Sequence, residues 1–436
     1  MNLDHWWMPF TPNQYFKEHP RLVSSARGAY YTLADGRRVF DALSGLWCTP
    51  LGHAEPAILQ AIQKQFEQLD FAPGFQLGHA GPFELAARVA ALSGRPSDRV
   101  FFVNSGSEAV DTALKIAVAY HRMRGEASRT RLIGRERAYH GVGLGGTSVG
   151  GMTANRKYFA PLMVPGVDHL SHPYDPTHMR FSRGQPTWGA HLADDLERLV
   201  SLHDASTVAA VIVEPVQGST GVLVPPRGYL ERLREICTRH GILLIFDEVI
   251  TGFGRLGVPF ASQFFGVEPD LITFAKAVTN GVVPLGGVLV RQSVYESFMK
   301  GPGDTIELFH GYTYSGHPLA VAAGLATLDV MEGKKLIEHS RSLAGHLEAA
   351  IHGLSAEPQV ADIRNLGFMA AVELQPDRER AGTRARRVFE HALGEGALVR
   401  FTGDTIAVAP PFVSTAEEID SLVAALARSI RANPVR

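Results

Sequence analysis

Lys276 follows the apolar run "DLITFA" and precedes the turn-forming "VTNG", so a cation stands at the end of what otherwise reads as a buried strand. A desolvated lysine is harder to protonate, and its neutral amine can attack a carbonyl to form a Schiff base. The chain has eight lysines, and only this one is flanked by an apolar strand. Three other polar groups occupy equivalent places. "NSGSE", residues 104 to 108, follows "RVFFV", and Gly106 and Ser107 leave the first N–H groups of the ensuing helix open to an anion. Glu214 ends "AAVIV"; Asp247 ends "GILLIF" with no cation nearby in sequence, so a partner for its charge has to come from elsewhere. Taken alone, each has an ordinary reading: a lysine snorkelling from a strand end, a plain helix cap, a salt-bridged aspartate. Four strand ends in agreement weigh more, because ligands of open α/β sheets bind beyond the carboxyl ends of the strands. A protonated pyridinium nitrogen would suit Asp247, and a carboxylate holding that proton is what makes pyridoxal phosphate an electron sink.

The elements that must carry these groups are legible as alternating patterns between about residues 59 and 316. "RVFFVN", "TVAAVIVEP", "GILLIFDEV", "DLITFAK" and "LGGVLVR" are apolar on both alternating faces, as strands of a helix-covered parallel sheet are. "NSGSEAVDTALKIAVAYHR" reads as a loop entering a helix. Ser105 and Glu108 fit a capping box, Val110, Ala113, Leu114 and Ala117 point inward, and Asp111 and Lys115 form an exposed pair. The first 58 residues look irregular apart from a hairpin about Asp35-Gly36. After a long helix in "HPLAVAAGLATLDVME", strands and helices separate, and a final helix is capped at Ser414 or Thr415 with Glu417 or Glu418. The expected fold class is α/β: a large domain over 59–316 with a mostly parallel central sheet, and a smaller α+β domain built from 1–58 and 317–436.

Composition narrows the function. A chain of 436 residues exceeds the roughly 250–300 at which a single core stops growing. The formal charge of -2 and the lack of a Lys/Arg run give no footprint for nucleic acid or anionic membrane. "MNLDHWWMPF" has no basic start before an apolar core, and no apolar run approaches about 18 residues, so a cytoplasmic protein is expected. Cys48 and Cys237 are expected to be reduced, and no metal site is expected. His169 and His172 resemble a ligand pair but lie in a Pro-rich loop without a third ligand, so they read as solvent-exposed. "GVGLGG", residues 141 to 146, with Asp168 further on, matches a dinucleotide fingerprint. The polar "GRERAYH" before it and the absence of a helical pattern after it argue against nicotinamide binding.

In this order and spacing, "NSGSEAVDTALKIA", "RAYHG", "VEPVQG", "FDEVITGFGR", "FAKAVTNGVVPLGG" and "HGYTYSGHPLA" resemble the class III aminotransferases over nearly the whole chain. These form the ω-aminotransferase branch of the fold-type I pyridoxal-phosphate enzymes. "HWWMPFT", "GLWC" and "GALVRFTGD" are most similar to the ω-amino acid:pyruvate (β-alanine:pyruvate) members. The resemblance implies pyridoxal 5'-phosphate as cofactor, transfer of an amino group from an ω-amino acid or amine to pyruvate, and a homodimer or tetramer with shared active sites. It makes Lys276 the Schiff-base lysine and Asp247 the partner of the pyridine nitrogen. Gly106 and Ser107 would donate to the phosphate, with Thr313 reaching that of the neighbouring subunit. Tyr139 and Val249 would pack on the two ring faces, and Glu214 would lie near the cofactor's hydroxyl side. Arg400 would take a substrate carboxylate, with Phe10, Trp47 and Tyr139 lining the pocket. Departures from the family pattern are Ala277 after the lysine, where glycine is common; Thr49-Pro50-Leu51 after "GLWC"; and Gly316 in "YSGHP". Ser219 replaces the glutamate of the γ-aminobutyrate and ornithine branches, which favours the pyruvate-using one. An aminomutase or decarboxylase of the same fold would use the same residues; alanine formation from pyruvate separates them.

Overall fold

The computed structural model describes residues 2–378 and 380–435. Near its start, β1 (Val23–Arg27), β2 (Tyr30–Leu33) and β3 (Arg38–Asp41) form an antiparallel meander. The Asp35-Gly36 turn sets the β2/β3 connection, with Gly36 at φ 86.

Seven strands make the central sheet: β4 (Arg99–Val103), β5 (Arg131–Arg135), β6 (Val167–Leu170), β7 (Val208–Val213), β8 (Leu243–Asp247), β9 (Leu271–Phe274) and β10 (Gly286–Val290). Their spatial order is β4-β10-β9-β8-β7-β5-β6. Neighbours from β9 to β6 are parallel, and β10 alone runs against both its partners. All five expected strands are present in a mostly parallel sheet. The unanticipated pair is β5 and β6, whose arginine, aspartate and histidine residues mask short strands. Every residue of β7, β8, β9 and β10 is buried, which requires cover on both faces. Ala210 and Ile212 of β7 pack in one cluster with the helix Gly106–Met123, and Val211 and Val213 pack in another with the helix Tyr229–His240. The two helices therefore cover opposite faces.

Beyond the sheet, the helix Pro318–Gly333 is apolar nearly all round and packs on the helix Pro56–Gln68 and on the turn after β9. The remaining strands are β11 (Val360–Asn365), β12 (Ala370–Leu374), β13 (Ala397–Leu398), β14 (Arg400–Thr402) and β15 (Thr405–Val408). An antiparallel sheet has the order β11-β12-β15-β14, and β13 instead pairs parallel with β3 at the edge of the N-terminal meander. Thr415 and Glu418 form the reciprocal box that starts the last helix, Ala416–Ala432. Among the described residues no helix is long and apolar enough to cross a membrane, and no group of His, Cys, Asp or Glu is placed to hold a metal ion. Both cysteines are free.

Candidate active site

The carboxyl edge of the parallel strands gathers the residues singled out from sequence. Gly106, Ser107, Tyr139, His140, Gly141, Glu214, Asp247, Val249, Ile250 and Lys276 line one cavity of about 130 Å³. Lys276 leaves β9 with φ 54 and opens a 3-10 turn that ends at Asn280, also left-handed at φ 51. The left-handed residue is thus the lysine itself, and Ala277 is free of that constraint. Its methyl lies in the main apolar cluster, which accounts for a residue where glycine was expected. Gly316 does need its freedom, with φ 70. Thr49, Pro50 and Leu51 are buried beneath the site, and the Leu51 N–H donates to Asn280 Oδ1 at 2.9 Å. They brace the lysine turn and do not line the cavity.

At the start of the helix Gly106–Met123, Ser105 Oγ accepts from the Glu108 N–H at 3.2 Å. The expected box is only half formed, because the Glu108 carboxylate accepts from the Asn104 N–H at 2.7 Å. A Cβ on Gly106 would lie 2.9 Å from Val249 Cγ1, so glycine lets the helix start approach the wall opposite. Ser107 Oγ accepts from the Val142 N–H at 3.0 Å, which fixes a hydroxyl beside open N–H groups at the positive end of the helix.

The "GVGLGG" loop packs on this same helix. Gly141 has φ 89, and a Cβ there would collide with Ser107; Cβ atoms on Gly143 and Gly145 would collide with the Asp111 carboxyl group. Asp111 Oδ1 accepts from the Gly146 N–H at 2.7 Å, so the carboxylate, still within the field of Lys115, also serves as a half-buried loop anchor that the helical spacing does not show. Burial raises the pKa of this carboxyl. A strand, β5, does precede the loop and a short helix, Leu144–Val149, opens within it, contrary to the sequence expectation. The glycines nonetheless serve side-chain packing, and Asp168 is paired with Arg131 at 2.7 Å. His169 and His172, expected in solvent, are half-buried; His169 Nε2 lies 2.9 Å from Gly150 O. Burial lowers the pKa of both.

The charges of the cavity are arranged around one amine. Burial presses Lys276 down to about 8, against the upward pull of Asp247, Cys48 and Glu214. Asp247 Oδ2 lies 2.7 Å from His140 Nδ1, and Oδ1 accepts from the Val249 N–H and Thr273 Oγ1, each at 3.1 Å. Glu214 accepts from the N–H groups of Tyr139 at 2.9 Å and Gly218 at 3.3 Å, and its burial lifts it to about 7. His140, whose role the sequence did not disclose, is buried with Nε2 unpartnered. Arg400, at the start of β14, reaches the electrostatic field of both Tyr139 and Lys276. Its buried Nε has no hydrogen-bond partner. Arg400 does not line the cavity, and neither do three other expected residues: Phe10 is 74% exposed, Trp47 is 2% exposed within the apolar cluster that also holds Ile250, and Thr313 is exposed.

A mixed sheet clad in helices, with its polar site at the carboxyl edge and a lysine at a strand end, is the architecture of the fold-type I pyridoxal-phosphate transferases. Residues 13–430 match the family model described as aminotransferase class-III, and the chain belongs to that family. It is 56% identical over 427 residues to an ω-aminotransferase of Caulobacter vibrioides, covering 98% of this chain and 97% of that one. It is 48% identical over 436 residues to the β-alanine–pyruvate aminotransferase of Pseudomonas aeruginosa, covering 99% and 96%. Among solved structures it superposes with TM-score 0.92, at 36% identity, on an amine transaminase from an uncultivated Pseudomonas species in a pyridoxal-phosphate-bound form, covering 99% of this chain and 100% of that one.

Proposed function

We propose that this aminotransferase moves an amino group from an ω-amino acid or amine, such as β-alanine, to pyruvate, with pyridoxal 5'-phosphate as cofactor. The observation that carries the reading is the cavity itself: a desolvated lysine, a buried aspartate and an anion-accepting helix start open onto one space. This donor set fits the cofactor end to end. Gly106 and Ser107, with Thr313 from a second copy of the chain, would hold its phosphate. Tyr139 and Val249 would pack on its ring, Glu214 would stand at its hydroxyl side, and Asp247 would hold a proton at its ring nitrogen. Bound there, pyridoxal phosphate supplies a carbonyl that captures the amino group and a ring that withdraws electrons from the neighbouring carbon.

The rest of the work falls to the chain. Lys276, readily neutral, serves first as the nucleophile that seats the cofactor and then as the base that carries the donor's carbon-bound proton. His140 fixes the Asp247 carboxylate, so its charge stays aimed at one place. Arg400 has no carboxylate partner among the described residues and suits that of pyruvate, because a planar guanidinium binds it bidentately. Phe10 would complete the pocket in the assembled enzyme, with Trp47 packed in the apolar cluster behind it. The assembly read here is a cytoplasmic homodimer or tetramer with shared sites, each chain divided into a large domain over 59–316 and a small one from 1–58 and 317–436.

A panel of donors with pyruvate as acceptor tests this. The wild type is expected to form alanine, and Lys276→Ala to lose about 10³-fold or more in rate. Arg400→Ala is expected to lose carboxylate-bearing donors and keep simple amines. Carbon dioxide release, or isomerisation without a keto acid, would sink the transaminase reading; equal loss of both donor types would reject the role of Arg400.

A further inference from the structure

Arg255 lies outside the cavity, yet it is buried at 2% exposure with no carboxylate in ion-pair contact among the described residues. Burial pushes it down to about 9, with Asp41 the leading charge that opposes this. A buried guanidinium is costly unless its hydrogens are used. Its Nη1 donates to Pro410 O at 2.8 Å and Phe368 O at 3.3 Å, its Nη2 donates to Ser44 Oγ at 3.1 Å, and it stacks 4.7 Å over the Phe412 ring. Ser44 Oγ in turn donates to Ala409 O at 2.7 Å.

Ser44 begins a loop that the backbone alone would not choose. Ser44, Gly45 and Trp47 are left-handed at φ 50, 66 and 64, and Asp41 accepts from the N–H groups of Leu43 and Gly45. Gly45 takes this conformation freely, but Ser44 and Trp47 do not, and strain at such residues persists only where their surroundings over-determine it. The far end of the loop lies against the turn that carries Lys276, where a Cβ on Gly281 would come within 3.0 Å of Cys48 Sγ. Trp47 packs in the cluster that includes the cavity residue Ile250, and Cys48 is close enough to Lys276 for each to shift the other's pKa.

We infer that Arg255 is a positioning residue: by clamping Ser44 to the 409–412 segment it holds the Gly45–Cys48 loop as the back wall of the substrate pocket, and so sets how amine donors are accommodated. The inference rests on the proposed function for its substrate. Its geometry is read independently through Cys48, because the only other thiol, Cys237, lies in the core and reports general unfolding.

The test compares wild-type holoenzyme with Arg255→Met and Ser44→Ala, the second breaking the clamp without emptying the core. Iodoacetamide labelling at each cysteine is followed by mass spectrometry. Both variants are expected to alkylate Cys48 about tenfold faster with Cys237 unchanged, as a local opening does. The KM for a bulky amine should rise about fivefold or more while kcat and cofactor retention stay within about twofold. Unchanged Cys48 labelling in both variants overturns the proposal, as does a parallel rise at Cys237, which would make Arg255 a general stabiliser. A wild type that transfers no amino group would defeat the functional reading while the labelling still decides the clamp.

Discussion

At Lys276, burial wins over charge: three neighbouring groups pull its pKa up, yet it falls from 10.5 to about 8. In the apoprotein the neutral amine therefore grows in as pH rises through about 8. The rate of pyridoxal phosphate uptake by apoprotein is expected to rise across that range and then level off; a rise centred above pH 10 would show a solvated amine. The same shift makes the empty fold gain stability with pH between about 8 and 10.5, where the unfolded chain keeps a proton that the native one has lost. Lys276, Asp247, Glu214, Gly106 and Ser107 were legible because one local rule, polar groups at strand ends, selects them. His140 and Arg255 were not, since their partners, Asp247, Ser44 and Pro410, are remote in sequence. Asp111 was half legible for the same reason: the helical spacing to Lys115 is visible, and the loop that takes its carboxylate is not.

Among the elements, the loop over the helix Gly106–Met123 shows how a motif can match on paper and serve another end. Its glycines let backbone lie against Ser107 and Asp111, and Gly141 adds a φ of 89 that only glycine adopts freely. Gly141→Ala is expected to displace Ser107 and weaken cofactor affinity about tenfold or more, a conformational cost of order 1–3 kcal/mol. Equilibrium titration of the apoprotein with pyridoxal phosphate checks this, and an unchanged affinity would mean that the cradle relaxes. The strands most buried on both faces were readable from composition. The direction of β10 was not, because an antiparallel strand with helices on either side has the same apolar character as its parallel neighbours.

For the whole molecule, the single chain leaves Trp6, Trp7, Phe10, Phe309 and Tyr314 in solvent, large aromatic side chains that association with a second chain would cover. Thr313 sits within the same exposed stretch as Phe309 and Tyr314 and outside its own chain's cavity. Light scattering is expected to give at least twice the chain mass for the active enzyme; full activity in a species of single-chain mass would reject shared sites. The pairing of chain ends could be guessed only in outline from sequence, since two residues of β13 carry no strand signal of their own.

That pairing has a consequence for biosynthesis. Strands β1 to β3 leave the ribosome long before β13, yet the edge partner of β3 is Ala397–Leu398. At about 5–20 residues per second, the meander waits on the order of tens of seconds for its last strand. During that delay its free edge is open to pairing with other nascent chains, and the hazard ends only when Ala397–Leu398 has emerged.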